Sequence, residues 1–246
     1  MRARLRRPGP HAVRGLAAIL AAAALLLGGC AQSAGPGPQS EPFSLNSLAK
    51  TDMNGVAETT LWSQLGYLRT LMIKLYRRNP RQLHRQGDHT LADRVDRVFT
   101  GRVSDWNFPE LGNCRGTACV NLAFDPAFKG DRVLAFVFGL TSMILASYNN
   151  HTEFYVLDRL NAQKLYNSAR NIEIAVWQLS NKRDTDGHLY LYSNSRAGEV
   201  RNLSFARLFG KMIALQDNLA IIIAGRTNRV IKTVIQDMAT AVFLPV

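Results

Sequence analysis

Apolar residues recur at spacings of three and four along most of the chain, which predicts amphipathic helices. The first predicted helix runs from about Ala57 to Arg78. Its apolar face comprises Leu61, Leu65, Leu68, Met72, Leu75 and Tyr76. Glu58 lies in its first turn, basic residues lie in its last, and Pro80 follows, so the helix dipole and the stop signal agree with the pattern. A shorter helix is predicted from Asp88, and it ends before Gly101.

Four more helices are predicted further along. Residues Val133 to Tyr148 form a run of sixteen, nearly all apolar or small. A membrane span needs about twenty such residues, so this pattern indicates a central helix that is buried on all sides. The other three predicted helices are Asp158 to Leu179, Ser204 to Ala224 (ended by Gly225), and Thr227 to Val242 with Ile231, Val234, Ile235, Met238 and Val242 on one face.

Two stretches lack helical periodicity. Residues 101–128 form a long connection with Trp106, Pro109 and Pro126. Connections of this length are often functional, although a disulfide and buried aromatic rings are an equally good reason for its order. Asp184 to Gly187 predicts a turn, and His188 to Tyr192 is either a short strand or an extended segment. The predicted fold class is therefore all-α: about six helices around one strongly apolar central helix, with little or no sheet.

The N-terminal thirty residues have a different pattern. Five arginines without an acidic residue precede an apolar run from Leu16 to Leu27, and Leu27-Gly28-Gly29-Cys30 follows. This arrangement resembles the signal peptide and lipobox of bacterial lipoproteins. The resemblance implies that residues 1–29 are removed and that Cys30 is lipidated; the alternative is an uncleaved N-terminal anchor or an ordinary secretory signal. Residues 30–42, rich in Gly, Pro and Ser, then predict a flexible tether, and residues 43–246 a helical periplasmic domain.

The resemblance also implies a location. Two or three acyl chains on Cys30 give stable membrane anchoring. In enteric-type bacteria, an aspartate directly after the lipidated cysteine is similar to a signal for retention in the inner membrane. This chain has Ala31 at that position, so the expected location is the periplasmic face of the outer membrane. The expected partners are the membrane, through the lipid anchor, and an envelope protein or an anionic envelope polymer.

The remaining two cysteines, Cys114 and Cys119, would lie in an oxidising compartment. With Gly116 between them to permit a tight turn, they predict a disulfide that closes a small loop. The alternative is a redox or zinc pair. Redox pairs usually have C-x-x-C spacing, and zinc needs further ligands nearby.

The charge of the chain is unevenly distributed. The whole chain has a net charge of +12, but residues 1–29 hold five of its 30 Lys and Arg side chains and none of its 18 acidic ones. The remainder therefore has 25 basic and 18 acidic side chains, a net charge of +7. This moderate excess fits anionic envelope surfaces, and we expect no nucleic-acid partner.

The densest basic cluster is a candidate contact for an anion or a partner and comprises Arg77, Arg78, Arg81 and Arg85; a solvated helix end is the alternative. A second basic group comprises Arg226, Arg229 and Lys232.

The sequence has few signs of catalysis or metal binding. Aligning Gly187 with the glycine of a calcium loop puts Lys182 and Ser193 where acidic ligands should be. The histidines are scattered, and neither a nucleophile elbow nor a phosphate-binding glycine loop occurs. We expect no metal, no cofactor and no catalytic residues.

Two classes of function follow. The first is a membrane-anchored envelope lipoprotein that serves as a non-catalytic interaction or assembly component. The alternative is a periplasmic enzyme acting on peptidoglycan or lipid, with Asp105, Glu110 and His151 as candidates, or a lipid carrier with an apolar cavity between its helices.

Overall fold

The computed structural model describes residues 52–85, 87–101, 105–155, 159–194, 202–235 and 237–246. The predicted signal peptide, Cys30 and the tether lie outside these residues. Six α-helices occur in the described part: α1 (Asp52–Arg78), α2 (Leu91–Phe99), α3 (Gly116–Leu122), α4 (Arg132–Ser147), α5 (Ala162–Asn181) and α6 (Ser204–Thr227). Two 3-10 turns, Pro80–Gln82 and Pro109–Leu111, accompany them. β-pairing in these ranges amounts to isolated bridges, so the all-α prediction is confirmed.

Helices α1, α4, α5 and α6 form an up-and-down bundle. At one end, the Tyr76 hydroxyl of α1 donates to Asp131, the N-cap of α4. At the other end, the backbone N–H of Phe154 donates to Glu58 in the second turn of α1, so α1 and α4 are antiparallel. A buried Gln216 on α6 donates to the hydroxyls of Ser147 and Ser168 at 3.1 and 3.0 Å, which joins α6 to α4 and α5.

Helix α4 is the central helix that its sequence predicted. All its residues are buried except Arg132 and Ala146, which are partly buried. Its rings contact aromatic rings from several other segments: Phe138 packs on Trp106 and Phe108, and Phe136 packs on Phe124 and Phe209. Because partners surround this helix, an apolar residue can stabilise the fold at almost any position.

The prediction of an irregular connection over residues 101–128 is wrong in part, because it contains α3. Seven residues are too few for a helix to be stable alone. Helix α3 is held at its start by the Cys114–Cys119 disulfide and along its length by close packing on α4. The Gly116 N–H also donates to the Ser142 hydroxyl at 2.8 Å. Tertiary contacts therefore supply the stability that the local sequence lacks.

The predicted helix from Thr227 to Val242 is also wrong. Helix α6 continues through Gly225 to Thr227, and Asn228, with φ of 49°, ends it in the left-handed conformation. Residues 228–235 and 237–246, which we call the C-terminal segment, then run irregularly along α5. The β-branched residues of this segment form helices poorly, and side-chain amides of α5 bind its backbone instead. Six helices were predicted and the described residues form six, with α3 in place of this one.

Asp184 to Gly187 forms the predicted turn, and residues 188–192 do not form a strand: Leu189 makes an isolated bridge with Arg183, and bends follow it. Both backbone polar groups of Tyr192 are bound to the side-chain amide of Asn79. Helix α6 has the length and composition of a membrane span, but it contributes Phe209, Met212 and Ile223 to the core of the bundle.

Candidate binding surfaces

The predicted basic cluster lies where α1 ends. Arg77 and Arg78 occupy the last turn of α1, Arg81 lies in the following 3-10 turn, and Arg85 comes three residues after that turn. Arg78 is partly buried and donates to the carbonyl of Asn194 at 3.3 Å, whereas the other three are exposed. Cations at a helix C-terminus are favoured by its dipole, so the position of Arg77 and Arg78 has a structural reason without any ligand.

A buried ionic network lies where α2 meets the start of α4, and no pattern in the sequence indicates it. Arg94 is 2% exposed, and its Nε lies 3.6 Å from Asp131 Oδ2. The other oxygen of Asp131 caps α4 by accepting from the Leu134 N–H at 3.0 Å. Burial raises the pKa of Asp131 although its hydrogen bonds and Arg94 oppose this effect. Burial and the neighbouring Asp131 also raise the pKa of Tyr76, which keeps the phenol a donor.

Glu110 extends this network and is held by arginines. Arg97 contacts it with both terminal nitrogens, and Arg94 Nη1 lies 3.5 Å away. Burial raises the pKa of Glu110, but the hydrogen bond from Arg97 and the two positive charges outweigh it, so the pKa is lowered overall. Arg97 also donates to the Asn107 carbonyl at 2.9 Å and covers the Phe108 ring. Glu110 therefore fastens the 105–111 region to α2.

The three residues of the enzyme hypothesis are not brought together. Glu110 is linked through Arg94 to Asp131, next to the first residue of α4. His151 is exposed and lies just past the C-terminal end of that helix, where its ring is 6.3 Å from Phe154. A helix of sixteen residues is about 24 Å long, so Glu110 and His151 lie towards opposite ends of it. Asp105 is exposed.

The turn from Asp184 to Gly187, which resembles part of a calcium loop, is explained by hydrogen bonds within the turn itself. Ligand atoms of Asp184, Asp186 and His188 lie within 4.8 Å of one another. Asp184 Oδ1, however, accepts the backbone N–H groups of Asp186 and His188 at 3.0 and 2.8 Å. This oxygen stabilises the turn, and the remaining groups are exposed. We therefore assign no metal to this turn.

A ladder of three side-chain amides on α5 holds the C-terminal segment. Gln163 exchanges hydrogen bonds with both backbone groups of Lys232 at 2.8 and 3.0 Å. Asn171 does the same with Leu244 at 2.7 and 2.8 Å, and Asn167 donates to the Pro245 carbonyl. The three amides are four residues apart, so they share one helix face. Amide side chains at this spacing were the only feature of the sequence that could have indicated an irregular segment bound along α5.

The C-terminal segment leaves apolar side chains in solvent. Ile235 is 99% exposed, Val230 92% and Val242 74%. Single exposed apolar residues are ordinary, but three on one short segment, at nearly full exposure, indicate a contact surface. The amide ladder fixes the backbone at Lys232 and at Leu244, on both sides of Ile235 and Val242 and two residues after Val230. These side chains are therefore presented from a defined position rather than from a loose end.

A cleft of about 380 Å³ lies at the end of the bundle where α1 begins and α6 ends. Its buried floor is formed by the apolar residues Ala57, Phe154 and Ile223 together with one polar residue, Asn54. Its rim carries three arginines: Arg159, Arg226 and Arg229. Two of them, Arg226 and Arg229, belong to the second basic group of the sequence. Because the predicted helix from Thr227 to Val242 does not form, Arg229 lies beyond α6, and Lys232 lies in the C-terminal segment, where Gln163 of α5 binds its backbone.

The chain matches no protein-family model, no curated protein and no solved structure.

Proposed function

We propose that this chain is a membrane-anchored lipoprotein of the bacterial envelope whose helical domain binds a partner protein without catalysing a reaction. The observation that carries the binding half is the C-terminal segment, with Val230, Ile235 and Val242 exposed on a fixed backbone. The anchoring half rests on the lipobox Leu27-Gly28-Gly29-Cys30.

A protein fits this surface better than a polysaccharide does. The exposed side chains are β-branched and have no polar atoms, so they gain free energy only against another apolar surface. Arg229 and Lys232 lie close to Val230 in the sequence and would form part of the polar rim of such a contact, favouring a partner with acidic groups beside an apolar centre. Since the backbone is already held by Gln163 and Asn171, little ordering entropy is lost when the partner binds.

The anchor is tested by Cys30→Ser with metabolic palmitate labelling. We expect label and outer-membrane sedimentation in the unaltered chain and in a Gln32→Ser control, and neither in the Cys30→Ser chain. Label or membrane sedimentation that survives in Cys30→Ser would contradict the anchor. Sedimentation of the unaltered chain with the inner membrane would contradict the outer-membrane location but not the lipid.

The partner surface is tested by photo-crosslinking in intact cells. A crosslinking amino acid at Ile235 should capture a reproducible protein band, whereas one at the exposed Asp186, in a distant turn, should not. Ile235→Asp should abolish a crosslink made from Val242, while Thr233→Asp, which adds the same charge two residues away, should weaken it less. Equal capture from Ile235 and Asp186, or no capture from either, would contradict a protein partner on this segment.

A further inference from the structure

We propose that the cleft between the start of α1 and the end of α6 binds an anionic lipid, with the phosphate held by Arg159, Arg226 and Arg229 and one alkyl chain on the apolar floor. This inference concerns a different ligand from the partner proposed above, at a cleft that adjoins the partner surface at Arg229 and Val230. It does not depend on the lipid anchor at Cys30.

Among the described residues, the positive charges around the cleft have no carboxylate partner. None of the residues that line it is acidic. In the described part of the chain, no carboxylate pairs with Arg159, Arg226 or Arg229, whereas Arg97 and Arg170 each contact acidic side chains. Like charges around one small space repel each other, and an anion between them removes that cost.

The helix dipole explains only one of these three cations. Arg226 lies in the last turn of α6, where a cation is favoured. Arg229 follows the left-handed cap at Asn228, beyond the helix. Arg159 comes from another part of the chain, the connection between α4 and α5. Two separate segments therefore direct arginines to the same cleft, and arginine is the side chain best suited to hold phosphate oxygens through paired N–H groups.

The floor of the cleft suits an alkyl chain. Ala57, Phe154 and Ile223 are at most 6% exposed, and the partly buried Met53 and Leu160 extend the same apolar surface. The volume of about 380 Å³ lies near the lower end of the roughly 300–1,000 Å³ that small-molecule sites occupy. Free phosphate would use the rim alone, so the combination of rim and floor favours a molecule with a charged head and an apolar tail.

The surroundings of the cleft point to the same class of ligand. Ile221 and Ile222, in the last two turns of α6, are 64% and 41% exposed, and Val230 follows them at 92%. Exposed apolar residues next to arginines are the composition by which proteins contact the boundary between lipid headgroups and acyl chains. This end of the bundle could therefore reach a lipid that is still partly in a membrane.

The test uses the chain as cells produce it, purified in dodecyl maltoside and titrated with defined lipids under native mass spectrometry. The probes are myristoyl lysophosphatidylglycerol (anionic), myristoyl lysophosphatidylcholine (zwitterionic, with the same tail) and glycerol 3-phosphate (anionic, without a tail). The cleft variant is Arg159→Gln, Arg226→Gln and Arg229→Gln together. Its matched control is Arg77→Gln, Arg81→Gln and Arg85→Gln, which removes the same charge from exposed arginines at the other end of α1.

We expect the anionic lysolipid to be retained in preference to the other two probes, and the cleft variant to retain it about tenfold less, as loss of charge-assisted hydrogen bonds predicts. The control should retain it normally. Met53→Glu, which places a carboxylate in the first turn of α1, should weaken retention while suiting the helix dipole. Equal retention of the two lysolipids, equal retention of glycerol 3-phosphate, or a loss confined to the control variant would each overturn the proposal.

Discussion

Gly139 of α4 and Val120 of α3 pack so closely that a Cβ added at Gly139 would lie 2.7 Å from the Val120 backbone nitrogen. The same Cβ would lie 2.9 Å from the Gly116 carbonyl oxygen. Both atoms belong to the backbone, so neither can rotate away. The short helix α3 therefore sits against α4 only because residue 139 has no side chain.

Gly139→Ala should consequently destabilise the fold, although alanine favours helices. We expect a loss of about 1–3 kcal/mol, because α3 must shift to admit the methyl group. The matched control is Gly210→Ala on α6, where nothing lies within 4 Å of the added Cβ; it should stabilise the protein by about 0.5–1 kcal/mol. Urea denaturation of both variants measures the difference, and a stabilising Gly139→Ala would show that α3 is not held this closely.

The buried charge of Asp131 should matter more than its hydrogen bond from Tyr76. Asp131→Ala takes from Arg94, 2% exposed, the more deeply buried of its two counter-charges and removes the cap of α4, so we expect a loss of about 3–5 kcal/mol. Tyr76→Phe removes only the 2.6 Å hydrogen bond and should cost about 1.5–3 kcal/mol. Asp131→Asn separates the two effects because asparagine keeps the cap. A fully stable Asp131→Asn would mean that the pairing with Arg94 contributes nothing.

Glu110 should make stability depend on pH in the acid range. Its pKa is lowered from an ordinary value of 4.5, so its ionised form is favoured by folding. The contribution is present above that value and is lost as the pH falls through the lower folded-state pKa. Glu110→Gln should therefore be less stable than the unaltered chain at pH 7, by roughly 1–3 kcal/mol because Arg97 and Arg94 lose a charged partner. The gap should close as the pH falls below 4.5. Denaturation midpoints across this range measure it, and a gap independent of pH would contradict the assignment.

The sequence predicts the four bundle helices well. Three of them show a helical period because one face is buried, and α4 is recognisable because nearly all of its residues are apolar or small. It fails where tertiary contacts override local preference. Gly116 to Leu122 is too short to show a period, and its stability comes from the disulfide and from Gly139. Residues 227–242 have helical spacing, yet Asn228 ends α6 and the amides of α5 bind the backbone beyond it.

The candidate sites divide in the same way. The disulfide partners were predictable because Cys114 and Cys119 are close in the sequence and Cys30 is the one other cysteine in the chain. The cleft was not, since Arg159 and Arg226 are far apart in the chain and meet only through the antiparallel packing of α5 and α6. The same is true of Arg94 and Asp131, whose pairing depends on how α2 packs beside the start of α4.

Asn171 should control whether the C-terminal segment stays on α5. It is fully buried and satisfies both backbone groups of Leu244, so Asn171→Ala leaves those groups without partners inside the packed segment. We expect the segment to detach locally, with about 1–3 kcal/mol less protection against hydrogen exchange at residues 240–246 and little change in α1. Gln163→Ala, at the exposed end of the ladder, is the control and should loosen only the backbone around Lys232. If Asn171→Ala weakened exchange protection equally in every helix, the ladder would contribute to the stability of the whole fold rather than only holding the C-terminal segment on α5. If it also abolished crosslinking from Ile235, fixing the segment would be required for partner binding.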